Sequence, residues 1–363
     1  MSQNLRKTPL HGEHVKLDAK LADFGGWEMP IEYSGVVSEH SAVRAGCGIF
    51  DVSHMGKLRI QGAAVADELG ALLASKVSAL EVGQAQYSML LNAAGGVVDD
   101  LIVYRLGEGD FWIVPNASNA TEVFQILQGH LSDAVEIENL HESYGILAVQ
   151  GSGSAAVMQK LGIDPKLEYM QARYLTNAEQ ISASSQPSLI CRSGYTGEFG
   201  FELIVPIADL VEIFSSSLVA GATPAGLGAR DTLRLEMGYP LHGQEISQSI
   251  SPVSAGLSWA IDWDGNFIGK ELTVQARQQP ESYRVGLKLL ERGVLRSHLD
   301  VYLDGNLIGE TTSGSFSPTL KVGIALALVN RKIAIGEKVE VDVRGRRLSA
   351  EVVKIPFVES KVK

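Results

Sequence analysis

Cysteine is nearly absent: Cys47 and Cys191 are the only two in 363 residues. Two cannot build a disulfide framework or a thiolate zinc site, so both are expected as reduced, small apolar side chains. Long apolar runs are missing too. None reaches the ~20 residues that a membrane span needs, so no membrane association is expected. The opening MSQNLRKTPL lacks the apolar core of a secretory signal and is too short to read as a transit peptide. The expected compartment is the cytoplasm. There is no basic surplus either, with 42 acidic against 31 basic residues and a net charge of −11. Nucleic-acid binders lean basic, so nucleic acid is not an expected partner. An anionic substrate has to meet specific local Arg or Lys, because the global field repels it.

Several chemistries lack their motif. The eight histidines include no H-x-x-x-H or HExxH pair, and no metal site is expected. His54, in Asp51-Val52-Ser53-His54-Met55, is the only one near a crowded motif, and a lone histidine is more often structural. No G-x-S-x-G elbow supports a Ser-His-Asp mechanism. The turn Gly226-Leu227-Gly228 lacks the third glycine of a dinucleotide fingerprint, because Asp231 occupies that place. Neither a nicotinamide nor a flavin is therefore expected. Gly151-Ser152-Gly153, after the apolar run 146–149, is a weak phosphate signal that a tight turn explains.

What is present is ordinary globular material, 45% hydrophobic and 20% charged, in a chain long enough for two or three domains. Over 64–76, Val65, Leu69, Leu72 and Leu73 fall on one helical face. Over 119–131, Val123, Phe124, Leu127 and Leu131 do the same, with Asn119 as N-cap and Glu122 completing a capping box. Between them lie strand-like runs at 86–91, 97–104 and 111–114. The turn Ala93-Ala94-Gly95-Gly96 makes the first two a hairpin. This predicts a compact α+β insert over 52–142, with 1–51 and 143–275 forming one discontinuous α+β domain. A polar, proline-containing linker follows at 275–283. Short strand patterns at 283–289, 299–303, 307–309, 323–328 and 339–343 then predict an all-β barrel or sandwich over 276–363.

Three places could carry chemistry. Asp99 and Asp100 open the second strand of the hairpin, and successive side chains point to opposite faces. One aspartate shares a face with Ile102 and Tyr104, the other with Leu101 and Val103. At least one is expected to be partly buried, needing a hydrogen-bonding partner or a raised pKa. The plainer alternative, favoured by composition, is a pair of surface aspartates beside a turn. Glu202 alternates with Phe201 and Leu203 and could accept two parallel hydrogen bonds from a planar N–C–N edge, such as a guanidinium or the edge of a pterin. A salt bridge to an internal arginine is the alternative. Arg230 stands beside the glycine turn at the start of a predicted helix and suits carboxylate or phosphate recognition. A capping pair with Asp231 is the alternative there. The aromatics Trp27, Tyr87, Trp112, Tyr195 and Trp259 are mostly expected in the core, with one or two free to stack a flat heterocycle.

From end to end the chain resembles the glycine-cleavage T protein family. The matching segments are Thr8-Pro9-Leu10, DFGGWEMP at 23–30, FDVSHMG at 50–56, GGVVDDLIVY at 95–104, VQG at 149–151 and SGYTGEFGFE at 193–202. PAGLGARDTLRLE at 224–236, LHGQEI at 241–246, GLSWAI at 256–261, TTSGSFSPTL at 311–320 and IALA at 324–327 continue the match. The resemblance implies a three-lobed, cloverleaf-like α+β fold with two lobes around a central folate channel and a barrel or jelly-roll-like third. It implies that Asp100 is the catalytic residue beside the reactive nitrogens of tetrahydrofolate. It places the folate contacts on Met55, Tyr87, Ile102, Asn116, Tyr195, Glu202, Arg230 and Trp259, with Glu202 taking the pterin edge. Departures are Pro115 where the family has a small β-branched residue, Phe199 where Asp is usual, and the tail after Phe357, which does not align.

The implied reaction takes the aminomethyl group from the lipoyl arm of H protein to tetrahydrofolate, releasing ammonia and leaving 5,10-methylenetetrahydrofolate. Two relatives of the fold compete. The folate lobe of sarcosine or dimethylglycine dehydrogenases accompanies a flavin domain, whose G-x-G-x-x-G fingerprint is missing here. A non-enzymatic folate-binding iron–sulfur assembly factor carries K-G-C-Y-x-G-Q, where this chain has GYPLHGQ at 238–244, without cysteine.

Overall fold

The computed structural model describes residues 5–179 and 186–363, so the first four residues of the opening stretch lie outside the described residues. Strand Tyr144–Gln150 is buried along its whole length, as befits a strand covered on both faces. It pairs antiparallel with Gly200–Pro206 on one side and with Gly48–Asp51 on the other. Leu189–Cys191, Ala172–Tyr174 and Thr223–Pro224 complete a six-stranded sheet. Alternation along the strand sends Leu147 and Val149 into a core with Leu210, Ile213 and Phe214 of helix Ile207–Val219. Ile146 and Ala148 face the other way, toward Ala229 and Leu233 of helix Leu227–Met237.

The segment between Gly48–Asp51 and Tyr144–Gln150 forms a second sheet of five strands. Its order is Gln84–Leu91, Val97–Gly107, Asp110–Pro115, Leu58–Gln61 and Glu136–Asn139. Leu101 and Val103 pack under Leu69 of helix Val65–Leu72 and Leu127 of helix Ala120–His130. Each such leucine, removed from water, contributes on the order of 2 kcal/mol. Ile102 and Tyr104 point the opposite way and meet the first sheet through the core that holds Ile146 and Ile204. The two sheets therefore face each other, and the strand carrying the aspartate pair separates a dry helix-covered side from a side shared with the first sheet.

The C-terminal region is a closed six-stranded barrel, in the order Tyr283–Leu289, Val322–Val329, Asn306–Ser317, Asp300–Leu303, Lys338–Val343 and Arg346–Val353. Helix Leu227–Met237 docks on it through Leu235 against Ile324 and Leu326. Beside this contact the buried Glu236 accepts from Ser317 Oγ at 2.5 Å, Thr319 Oγ1 at 2.9 Å and Arg44 Nη2 at 2.8 Å. Burial pushes its carboxyl up, but His40, Ser317 and Arg44 outweigh burial and hold it at about 2.

The α+β class and the all-β barrel agree with the sequence reading. Three details differ. Asn119 occupies the N-cap position without capping, because its amide is drawn to Asp99. Glu122 meets Gln248 instead of closing a capping box. The polar stretch 275–283 begins as the last turns of helix Lys270–Gln278. The glycine turn after Tyr144–Gln150 is a packing feature, since a Cβ on Gly151, at φ 118°, would collide with the Gly46 carbonyl. Cys47 and Cys191 are both free and buried. No helix among the described residues is long and apolar enough to cross a membrane.

Candidate active site

A cavity of about 210 Å³ opens between the two sheets. Ile146 and Ile204 form one wall, Ile102, Tyr104 and Val114 the other, and residues 239–242 and 257–259 close the ends. All nine residues singled out from the sequence line it: Met55, Tyr87, Asp100, Ile102, Asn116, Tyr195, Glu202, Arg230 and Trp259.

The aspartate pair is not a surface pair. Asp99 is fully buried on the helix-covered side of its strand, and Asp100 looks into the cavity. The hairpin register places Tyr87 opposite Ile102 and Met89 opposite Asp100. From there Tyr87 Oη donates to Asp100 Oδ2 at 3.0 Å. Asn116, at the end of the neighbouring strand, donates from Nδ2 to Asp100 Oδ1 at 2.8 Å. Both carboxylate oxygens are thus pinned from the protein side, and the orientation of Asp100 is set before any ligand enters. Burial raises its proton affinity, against the opposing pull of Tyr87, Asn116 and His242. Burial raises that of Asp99 as well, and the charge of Asp100 adds to it. Burial and the Asp100 charge also push the Tyr87 phenol up, so it stays a donor.

Across the cavity, Ser193 Oγ donates to Glu202 Oε2 at 2.5 Å. The second oxygen of Glu202 has no hydrogen bond among the described residues, nor does Glu202 form an ion pair there. Burial raises this carboxyl too, while Ser193 and Arg230 pull it down. The alternative of a salt bridge to an internal arginine is not what the structure has.

Arg230 lies in the first turns of helix Leu227–Met237, with its guanidinium 4.5 Å from the Tyr195 ring centroid. Its neighbour Asp231 pairs instead with Arg234, at 2.7 Å, so the capping pair does not form. Among the described residues the Arg230 guanidinium makes no hydrogen bond or ion pair. It also borders a second hollow of about 330 Å³, shared through Tyr195 and Leu241 and carrying the exposed Arg296. Tyr195 stacks on Tyr239 at 5.6 Å and donates its hydroxyl to the Pro240 carbonyl. Trp259 stacks on Tyr87 at 5.6 Å while remaining 71% exposed, an open aromatic face at the cavity rim.

Ser193, Tyr239 and His242 line the cavity but were not singled out from the sequence as site residues. Ser193 opens the segment containing Tyr195, and an alternation argument that starts at Glu202 does not reach it. Among the described residues, no group of three or more His, Cys, Asp or Glu is arranged to hold a metal ion. His54 is buried, and burial together with Arg230 lowers its ring to about 3.

The site joins an oriented carboxylate, a second carboxylate with a free oxygen, an unpaired guanidinium and open aromatic faces. That combination could receive a flat, donor-rich, anionic small molecule and a proton from it, on an α+β body with a closed barrel attached. Two family models cover nearly the whole chain: the GCVT N-terminal domain over 10–265 and the glycine cleavage T-protein C-terminal barrel domain over 283–359. The chain belongs to the glycine cleavage T-protein family. It is 47% identical to an aminomethyltransferase of Parafrankia sp., over 98% of both chains. It is 45% identical to one of Mycolicibacterium paratuberculosis, over 98% of this chain and 97% of that one. The crystal structure of the glycine cleavage system aminomethyltransferase T from Bartonella henselae superposes with a TM-score of 0.92 at 34% identity, over 99% of each chain.

Proposed function

We propose that this chain takes the aminomethyl group from the lipoyl arm of H protein and passes its methylene to tetrahydrofolate. The products are 5,10-methylenetetrahydrofolate, ammonia and dihydrolipoyl H protein. The methylene carbon exchanges its bonds to sulfur and amine nitrogen for bonds to N5 and N10. The two protons displaced from N5 and N10 leave on the ammonia and on the thiol. The observation that carries the reading is Asp100, pinned on both oxygens by Tyr87 and Asn116 and open toward the cavity.

Asp100 takes a proton from a reacting folate nitrogen, and its carboxylate stabilises the cationic iminium character that develops there. Glu202 accepts from the 2-amino and N3–H edge of the pterin with its free oxygen. Arg230, between the two hollows, meets the carboxylate-bearing tail. Met55 and Ile102 supply apolar walls, Tyr87, Tyr195 and Trp259 supply flat ones, and Asn116 steadies the carboxylate. Holding both reactants in one cavity supplies much of the rate. Tetrahydrofolate is the one co-substrate in this reading, without metal, flavin or nicotinamide, and the compartment is the cytoplasm. Residues 1–51 with 143–275 form the folate-binding body, 52–142 the insert and 276–363 the barrel.

The family match and the full-length likeness to aminomethyltransferases support this reading over a folate-binding assembly factor or a dehydrogenase lobe. The test is to mix the protein with aminomethyl-loaded H protein and follow ammonia. Release that depends on tetrahydrofolate is expected. Release at the same rate without the folate, or no release at all, refutes the proposal.

A further inference from the structure

We infer that Asp99, clamped by Asn116 and Asn119, is a positioning residue that aims the Asn116 amide at Asp100. The inference rests on the aminomethyl-transfer reading and extends it to two residues, Asp99 and Asn119, that do not line the cavity. Asp99 accepts three hydrogen bonds: from Asn116 N at 2.8 Å, Asn116 Nδ2 at 2.8 Å and Asn119 Nδ2 at 2.7 Å. Asn116 is thereby held through both its backbone and its side chain. Its amide has two hydrogens, shared among Asp99 Oδ1, the Asp100 carbonyl at 2.9 Å and Asp100 Oδ1 at 2.8 Å. Release of Asp99 would free that amide to rotate away from Asp100. Asn119 serves the clamp at the expense of its own helix, whose N-terminus receives no side-chain cap.

A carboxylate sealed in an apolar core is costly, and apolar residues of similar size commonly stabilise such a position better. Its presence there calls for another role. Every group that bonds Asp99 is a donor, so this one carboxyl holds Asn116 and Asn119 together. Asp100 has an open side. The other titratable or charged groups around it are Tyr87, Tyr195 and His242, with Glu202 and Arg230 across the cavity. Burial raises both carboxyls and the Asp100 charge adds to the rise at Asp99, so the two titrate as a coupled pair. Asp100 can take a proton from a folate nitrogen as that nitrogen bonds the methylene carbon, and return it to the departing amine.

The experiment is the pH profile of kcat for folate-dependent ammonia release from loaded H protein, across about pH 5.5 to 9. It compares the parent with Asp99→Asn, Asn119→Ala and Asp100→Asn. Asp99→Asn should lower kcat about tenfold, leave the folate KM within about twofold, and move the acid limb up, because Asp100 loses the Asn116 donor that holds its proton affinity down. An acid limb at the parent's position overturns the inference, whatever happens to kcat. Should Asp99→Asn fail to fold, Asn119→Ala decides: kcat lowered about threefold at unchanged folate KM supports the clamp, and parental kcat overturns it. Full activity in Asp100→Asn would sink the underlying reading instead. An inactive Asp100→Asn beside an unmoved Asp99→Asn profile sinks this inference alone.

Discussion

Two carboxylate sites in this molecule behave in opposite ways. Glu236, at the contact between helix Leu227–Met237 and the barrel, is surrounded by Ser317, Thr319, Arg44 and His40 and is held at about 2. Glu202 and Asp100, in the cavity, receive one donor and two donors respectively, and both are raised. Glu236 is sealed and the two cavity carboxylates are half-buried, and desolvation raises the proton affinity of all three. What differs is how fully charged and polar partners compensate it. A carboxylate with every lone pair used and cations at hand joins domains. One left partly open toward a cavity is available to a ligand or a proton.

Exchanging charge for neutrality at each site sharpens this contrast. The largest effect is expected at Asp100. Asp100→Asn should slow turnover by about a thousandfold while folate still binds within about threefold of the parent. Steady-state ammonia release and equilibrium folate titration check this, and parental turnover removes Asp100 from the chemistry. Next comes Glu236→Ala, which leaves Ser317, Thr319 and His40 without that acceptor and Arg44 with only Glu198 as its carboxylate partner. A loss of about 3 kcal/mol of stability is expected from urea unfolding, and a loss under about 1 kcal/mol would contradict the domain-joining role.

Glu202→Ala should then weaken folate binding by about ten- to thirtyfold, with a smaller change in kcat, since it removes a paired acceptor from the bound pterin. Unchanged folate affinity would refute that contact. The smallest of the mutational effects is expected at the rim. Trp259→Ala should raise the folate KM a few-fold, about 1 kcal/mol of stacking, and an unaltered KM would show that its exposed face meets no ligand. Acid titration separates the two environments without mutation. Glu236 has a folded pKa below its ordinary 4.5, so its stabilisation is complete above that value and is lost as pH falls toward about 2. Unfolding followed from pH 5 to 2 should show this loss in the parent and a smaller one in Glu236→Gln. Equal slopes would contradict it.

Much of the architecture was legible in local pattern. Helix Val65–Leu72 and helix Ala120–His130 follow from leucine and valine spacing, and the hairpin at 93–96 from its small residues. The barrel strands that alternate apolar and polar residues were found, but Arg346–Val353 was not, because its paired arginines look like loop until their neighbours cover the inward face. Glu136–Asn139 was missed for a similar reason, with a single half-buried apolar residue in an edge strand. The N-terminal sheet of Arg6–Lys7, Lys20–Phe24 and Trp27–Glu32 leaves little apolar alternation to read.

The sequence by itself determined the period-two alternation that sends Asp99 and Asp100 to opposite faces, and the motif resemblance that named the nine cavity residues. Only the tertiary structure decided which face is sealed and which is open. It also decided that Asn119 turns from its helix to Asp99, that Asp231 is taken by Arg234, and that Arg230 is left unpaired. The physical reason is that a carboxylate's protonation and a guanidinium's availability depend on which donors and acceptors neighbouring elements bring to it. Ser193 meets Glu202 and Asn116 meets Asp100 only when neighbouring strands of one sheet pair, and Ser317 meets Glu236 only when the barrel closes on its helix.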